Sequence, residues 1–332
     1  MSALLQQVRR TIDRHGLCPA GSRVLIGLSG GSDSVALTMV LRDLARRGGF
    51  EVAGLAHLNH RLRGTAARDE AFCRELADRL GLPLAVESID VAAVAARDGL
   101  SIEQAARRVR YGFLQRAADA GRADRIAVGH TRDDQAETFL LKLMRGAGST
   151  GLGGVYPRNG AVIRPLLDVS RDELRAHLRA AGQAWVEDET NADLANPRNR
   201  IRHVVLPELD RAYGGSTRAA IARAADLARD DAEWLDEAAA RRFAQLVEVS
   251  PRSLSLDRAA VQAEPRPIRR RLLLEALRTV AAGREVGLAH VDAGLQVLQG
   301  ALARADVPGG RWELSGRNLV LYSSDTGSSD TL

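Results

Sequence analysis

The first two hundred residues alternate short apolar runs with longer segments whose apolar positions recur every three or four residues. Residues 23–28, 51–57, 84–89 and 125–129 are the apolar runs, with 161–165 as a fifth. Runs of this length, bounded by turn residues, predict strands. Between them, residues 34–46 place Val35, Leu37, Met39, Val40, Leu41 and Leu44 on a helix, and 66–80, 101–120, 133–144 and 171–181 read the same way. Residues 1–10 form a further amphipathic helix. Strands alternating with 10–15-residue helices imply βαβ units and an α/β fold built on a doubly wound, mostly parallel sheet. In such sheets the site lies at the carboxyl ends of the strands, so motifs just after strands carry the most interest.

The alternation stops near Leu206-Pro207 and Tyr213-Gly-Gly-Ser216. Beyond it Ile221, Ala225, Ala228, Ala232 and Leu235 mark one face of a long helix. Residues 269–280 and 289–302 are further helical segments, and 311–322 reads as two short strands about a turn at Gly316. The expected organisation is a catalytic domain over 1–212, a smaller and mostly helical domain with a terminal hairpin over 213–322, and a disordered polar tail over 323–332.

Composition narrows the class. Of 332 residues 45% are hydrophobic, enough for a core, and no apolar run approaches the ~20 residues that span a bilayer. The start lacks the apolar core of a signal peptide, so a cytoplasmic protein with no membrane attachment is expected. Cys18 and Cys73 are the two cysteines, which excludes a disulfide scaffold, a four-cysteine zinc site and a C-x-x-C redox pair. The net charge is +5, and Lys142 is the single lysine among 47 basic residues. Arginine matches phosphate geometry and favours a polyanion such as RNA, but an Arg-rich solvated surface gives the same total. Charge alone leaves the partner open.

The strongest local signal is Ser29-Gly30-Gly31-Ser32-Asp33-Ser34, between the first strand and its helix. The glycines let the backbone turn tightly and present N–H groups to an anion. The helix start adds partial positive charge, and the serines add hydroxyl donors. A Walker loop places a lysine here, and none is present. Asp33 would repel a bare phosphate, so its natural reading is a site bridged by Mg²⁺. This run resembles the S-G-G-x-D-S signature of the PP-loop ATP pyrophosphatase superfamily. That resemblance implies adenylation of a carbonyl or carboxyl oxygen, release of pyrophosphate, and displacement of AMP by a nucleophile.

Further motifs follow in order: His57-Leu-Asn-His-Arg-Leu-Arg-Gly64 after the second strand, and Gly129-His-Thr-Arg-Asp-Asp-Gln-Ala-Glu-Thr138 after the fourth. Then come Gly151-Leu-Gly-Gly154, Asp188-Glu-Thr-Asn191 and Asn199-Arg-Ile-Arg-His-Val-Val-Leu-Pro207. Together they resemble the tRNA(Ile)-lysidine synthetases from about Val24 to Pro207, more loosely to Tyr322. The chain looks like a short form, without a second C-terminal domain. The resemblance implies ATP and Mg²⁺, with L-lysine and an isoleucine tRNA bearing a CAU anticodon as partners. It makes the helical region tRNA-binding and leaves a homodimer open.

Residue roles follow from chemistry and resemblance together. Asp133 and Asp134 open a helix, where carboxylates suit the dipole. Capping is the plain reading of Asp133, and the resemblance makes Asp134 the functional member, holding Mg²⁺ with Asp33. His130 is set to contact phosphate or polarise the activated carbonyl. Arg107 and Arg110, three apart on one helix face within E-x-x-A-R-x-x-R-Y, would stabilise charge as pyrophosphate leaves, or simply form a solvated basic face. Asn59, His60 and Arg63 are candidates for the nucleotide or cytidine pocket. Glu137 and Asp134 are candidates for the amines of lysine. Arg198, Arg200 and Arg202, like Arg266 and Arg269–Arg271, are candidate tRNA contacts. A tRNA thiolase or an amide-forming ligase is the competing enzyme reading, and an RNA-binding protein on a decayed scaffold the non-catalytic one. Sulfur transfer usually employs paired cysteines, absent here, and both motif aspartates are present.

Overall fold

In the computed structural model the chain is described over residues 1–61, 66–187 and 193–324. Arg63, the segment 188–191 and the tail from 325 onward lie outside the described residues. The chain divides into two compact units, Met1–Ala228 and Arg229–Leu332. That division falls sixteen residues beyond the expected boundary at 212, inside the long helix.

In the first unit the strands are β1 (Ser22–Gly27), β2 (Phe50–Asn59), β3 (Leu84–Ser88), β4 (Arg125–Ala127), β5 (Arg158–Asn159) and β6 (Val162–Ile163). Its helices are α1 (Ala3–Arg14), α2 (Ser32–Ala45), α3 (Ala66–Leu80), α4 (Val91–Asp98), α5 (Ile102–Ala120), α6 (Arg132–Leu143), α7 (Ser149–Leu152), α8 (Arg171–Ala180), α9 (Pro197–Arg200) and α10 (Leu206–Tyr213). A π-helical stretch, Ile201–Val205, joins the last two, and α11 (Thr217–Leu246) begins in this unit.

The sheet order is β3-β2-β1-β4-β6-β5, all pairs parallel except β5 with β6. The chain leaves β1 toward β2 on one side and returns to β4 on the other, so the direction of winding reverses between β1 and β4. That is where a ligand crevice opens in a doubly wound sheet. Alternation along the strands separates two layers. Val24, Ile26, Ala127 and Ile163 pack with residues of α1, α2, α3 and α8. Leu25, Ala56, Ile126 and Val128 pack instead with Phe113, Leu114 and Ala118 of α5.

The second unit continues α11 and adds β7 (Val247–Ser250), β8 (Ser253–Asp257), α12 (Arg258–Ala263), α13 (Arg266–Val280), α14 (Leu288–Gln299), β9 (Arg304–Val307), β10 (Gly310–Ser315) and β11 (Asn318–Ser323). The expected hairpin is β10–β11, but it is the middle of a five-stranded antiparallel sheet, β7-β8-β11-β10-β9. Trp312, fully buried, packs among Leu272, Leu273, Val297 and Leu298, so helices and sheet share one core.

Candidate active site

The loop after β1 and the start of α2 form one wall. Gly30 takes φ +88°, which a side chain would strain, and its carbonyl accepts the Val186 amide at 2.9 Å. Gly31 caps α2 without a side-chain hydrogen bond, so the first N–H groups of the helix are not consumed by a cap. The Ser34 hydroxyl accepts the Ser29 amide and donates to the Gly31 carbonyl, at 3.1 and 3.0 Å, closing the turn on itself. The Ser29 hydroxyl also lies 3.1 Å from that of Ser34, and Ser32 Oγ donates to Asp33 Oδ1 at 3.1 Å.

Gly129, just past β4, brings the second motif against the first. A Cβ there would sit 3.1 Å from the Asp33 carbonyl carbon and 3.2 Å from the Ser34 nitrogen. Any side chain would wedge the two motifs apart. The glycine thus sets the spacing between the S-G-G-S-D-S loop and the G-H-T-R-D-D turn that opens α6.

Thr131 caps α6, its hydroxyl accepting the Asp134 amide at 3.3 Å, and Asp134 closes the capping box from the third helical position. Its Oδ2 accepts the Thr131 amide and hydroxyl, both at 2.8 Å. The capping box therefore uses Thr131 and Asp134, where the sequence pointed to Asp133, and it occupies one carboxylate oxygen only. The other, Oδ1, accepts from Arg171 Nη2 at 2.5 Å and Arg198 Nη2 at 3.1 Å. Asp133 instead accepts the Arg171 backbone amide at 2.9 Å and Arg218 Nη1 at 2.8 Å.

Arg171 is the centre of this wall. Its Nε reaches Asp33 Oδ2 at 3.3 Å and its Nη1 reaches Glu137 Oε1 at 2.7 Å. Glu137, fully buried, also accepts from Arg198 Nε and Arg202 Nε, each at 2.7 Å. Four carboxylates (Asp33, Asp133, Asp134, Glu137) thus face four guanidiniums (Arg171, Arg198, Arg202, Arg218). Burial alone would push the Asp134 carboxyl up, but Arg171, Arg198, His130 and the Thr131 amide outweigh it and hold it below the usual carboxylate range. Glu137 is lowered in the same way, by Arg202 and Arg171 against burial. Asp33 is raised: burial dominates and the Asp134 charge adds to it, more than Arg171 offsets.

Among the described residues no group of three or more His, Cys, Asp or Glu side chains is arranged to hold a metal. Asp33 and Asp134 nonetheless share one arginine, and two carboxylates are what Mg²⁺ takes from protein when phosphates supply its remaining ligands. The donor set fits the ion once Arg171 and Arg198 withdraw.

The α5 layer carries a different group. His130 is shielded, and its Nδ1 has no hydrogen-bond partner. Burial pushes the imidazole down to about 4, with Arg164, Arg198 and Arg110 acting in the same direction against Asp134. The ring is neutral at pH 7. Arg107 stacks on Tyr111, 5.0 Å from the ring centroid. His57, which the sequence did not single out, is buried with Nδ1 2.9 Å from the Leu28 carbonyl and Nε2 unpartnered.

Other expected residues separate. Asn59 Nδ2 donates to Glu70 at 3.1 Å and its Oδ1 accepts the Arg61 amide at 3.0 Å, so it ties β2 to α3. His60 follows it, half-buried, with its carbonyl accepting from Val91. Arg198 and Arg202 lie one turn apart and both enter the acidic cluster, whereas Arg200 between them is exposed. Arg171, the largest omission of the sequence reading, reads there as an ordinary first-turn residue of α8. The segment Gly146–Gly154 is pinned to α6: Gln135 bonds the Gly153 carbonyl and the Val155 amide, and Lys142 Nζ donates to the Gly154 carbonyl at 3.1 Å. Burial pushes the Cys18 and Cys73 thiols up to about 12, so neither offers a thiolate. No helix among the described residues is long and apolar enough to cross a membrane.

Comparison with known proteins agrees with this geometry. A family profile described as a PP-loop domain matches residues 4–209. A tRNA(Ile)-lysidine synthase of Geobacter sulfurreducens is 39% identical over 331 residues, covering 97% of this chain and 68% of that protein. One of Symbiobacterium thermophilum is 45% identical over 247 residues, covering 72% of this chain and 51% of its own. The chain therefore spans between about half and two thirds of the length of these relatives. Among solved structures, the U34-tRNA thiolase NcsA of Methanococcus maripaludis superposes with a TM-score of 0.57 at 17% identity, covering 68% of this chain and 78% of that one. That likeness speaks to the fold. With the two motifs meeting across the switch between β1 and β4, and with a relative 39% identical over 97% of its length, the chain belongs to the tRNA(Ile)-lysidine synthase family of PP-loop proteins.

Proposed function

We propose that this chain joins L-lysine to C2 of the wobble cytidine in the CAU anticodon of an isoleucine tRNA, using ATP. The observation that carries the reading is the contact of Gly129 with the backbone of Asp33 and Ser34, which brings the phosphate loop and the His130–Asp134 turn into one crevice.

In the first step the cytidine O2 attacks the α-phosphorus of ATP, and the bond to pyrophosphate breaks. The uncapped start of α2 and the serine hydroxyls of the loop bind the departing phosphates. Bound Mg²⁺ would neutralise phosphate charge, held by Asp33 and Asp134. In the second step the lysine ε-amine attacks C2 and the C2–O bond breaks. AMP leaves with that oxygen, and the amine loses a proton. In this reading neutral His130, whose Nδ1 has no partner, exchanges a hydrogen bond with the reacting carbonyl. The cluster around Arg171 sets the order of events: Asp33 and Asp134 receive a cation only as Arg171 and Arg198 leave them, and Glu137 receives an amine only as Arg202 leaves as well. The second unit is the tRNA-binding region in this reading. Sulfur transfer is disfavoured, because both thiols are protonated and lie in separate segments.

The test uses purified protein, Mg-ATP, radiolabelled lysine and a CAU-anticodon isoleucine tRNA transcript. The expected result is label at the wobble cytidine with one AMP per lysine, lost by about 10²–10³-fold in Asp33→Asn. AMP without lysine transfer would redirect the reading to another nucleophile. RNA binding without any AMP would end it.

A further inference from the structure

Arg164 follows β6 directly and is 4% exposed, one of two arginines counted among the buried residues. Its Nη1 donates to the Tyr156 carbonyl at 2.6 Å, the one side-chain hydrogen bond it makes among the described residues. Its Nε is enclosed and has no partner. Among the described residues no carboxylate pairs with it, in contrast to Arg171, Arg198, Arg202 and Arg218. A buried guanidinium with no counter-ion is costly, and such a group is retained where an anion is to be received.

Its position says which side of the crevice that anion occupies. Val162 packs in the α5 layer with Leu114 and Val128, while Ile163 faces the opposite core. Arg164 is the next residue, just beyond the end of β6. The Val128 amide bonds the Ile163 carbonyl, so Arg164 stands beside the turn that carries His130. Its charge bears on that imidazole together with the charge of Arg110. With Nη1 taken by Tyr156, the Nε–Nη2 edge remains, and that edge makes two parallel hydrogen bonds to a planar carboxylate. The phosphates already have the loop and the start of α2. RNA backbone phosphates stay at the surface, where a residue this enclosed does not reach. A small carboxylate that enters the crevice suits a guanidinium this buried.

We propose that Arg164 binds the α-carboxylate of the amino-acid substrate, through its Nε–Nη2 edge, on the α5 side of the crevice. The proposal rests on the lysine-joining activity argued above. It makes Arg164 the residue that distinguishes an amino acid from a simple diamine carrying the same reactive amine.

The experiment compares kcat/KM for L-lysine and for 1,5-diaminopentane, which lacks the carboxylate, in the wild type, Arg164→Met and Arg164→Lys. Wild-type protein is expected to prefer lysine, and Arg164→Met to lose about 10–100-fold of that preference, the range of a charge-assisted hydrogen-bonded pair. Arg164→Lys, which keeps the charge but not the fork, falls between, and it carries the test should the methionine variant fail to fold. An unchanged preference in both variants overturns the proposal, as does a rise in the KM for ATP with the preference intact, which would assign Arg164 to phosphate. If the wild type joins neither amine to RNA, the functional reading itself fails, an outcome distinct from either.

Discussion

Two sets of arginines in the first unit stand in opposite electrostatic circumstances. Arg171, Arg198 and Arg202 are matched by Asp134 and Glu137, and Arg171 reaches Asp33 as well. Arg107, Arg110 and Arg164 have no carboxylate partner among the described residues; one stacks on Tyr111 and another bonds a main-chain carbonyl. The first set is internally neutralised, so its charge serves cohesion. The second set has no such partner: Arg107 and Arg110 are exposed, whereas Arg164 is buried. Counting arginines would treat the six alike. Asking what already neutralises each one separates a latch from a receptor.

The largest expected effect tests the latch. Arg171→Met leaves Asp33, Asp134 and Glu137 crowded in a buried site with their shared cation gone, and breaking such a pair from one side costs about 3–5 kcal/mol. Urea unfolding monitored by circular dichroism should show a loss of that size. A loss under about 1 kcal/mol would mean that the carboxylates are solvated rather than bound to Arg171, and the contrast between the two sets would collapse.

Much of the frame was legible in the chain, for reasons that also explain what was not. Helix Ala66–Leu80 emerges at its predicted limits because its apolar period and helix-favouring residues agree. The loop at Ser29–Ser34 is local chemistry, readable from adjacent letters. Helix Val91–Asp98 went unread although Asp90 caps it and Gly99 ends it in the left-handed region, since its Ala-rich run shows little periodicity. The five-stranded sheet of the second unit went unread because its order depends on distant pairing, with Leu254 opposite Leu321. The site divides along the same line. Asp33, Asp134 and Glu137 are visible as motif residues, but the partner of Asp33 lies 138 residues away. Which arginines meet acids is a fact of folding that spacing does not carry.

A smaller effect probes the uncompensated set through pH. His130 is held at about 4, below its ordinary value of about 6.5. Between those values the unfolded chain binds a proton that the folded one does not, so stability is present above pH 6.5 and declines as pH falls toward 4. The loss is about 1–3 kcal/mol for a ring this enclosed. It should appear as a falling Tm across that window, diminished in His130→Gln. Asp33, raised by burial, works in the opposite direction in the acid range, so the comparison of the two proteins isolates the imidazole. Titration of the His130 ring by NMR sharpens the point: Arg164→Met should move its pKa upward, because one of the cations opposing protonation is gone. A pKa that stays put would place Arg164 too far from the ring to share its pocket.

The smallest effect separates neighbours on one turn. Arg200 is exposed between Arg198 and Arg202, which both enter the acidic cluster. Arg200→Ala should leave stability within about 0.5 kcal/mol of the wild type, as surface substitutions do. Arg202→Ala strips two hydrogen bonds, at 2.7 and 3.1 Å, from a buried glutamate and should cost more than 1 kcal/mol on the same urea curves. If Arg200 meets an RNA phosphate, its loss weakens tRNA binding and lowers the slope of log K against log salt by about 1. Equal stability losses at both positions would mean that exposure does not distinguish them, and the division between latched and free arginines would need redrawing along this turn. A flat salt dependence in Arg200→Ala, with stability unchanged, would leave the division intact and remove Arg200 from the RNA surface.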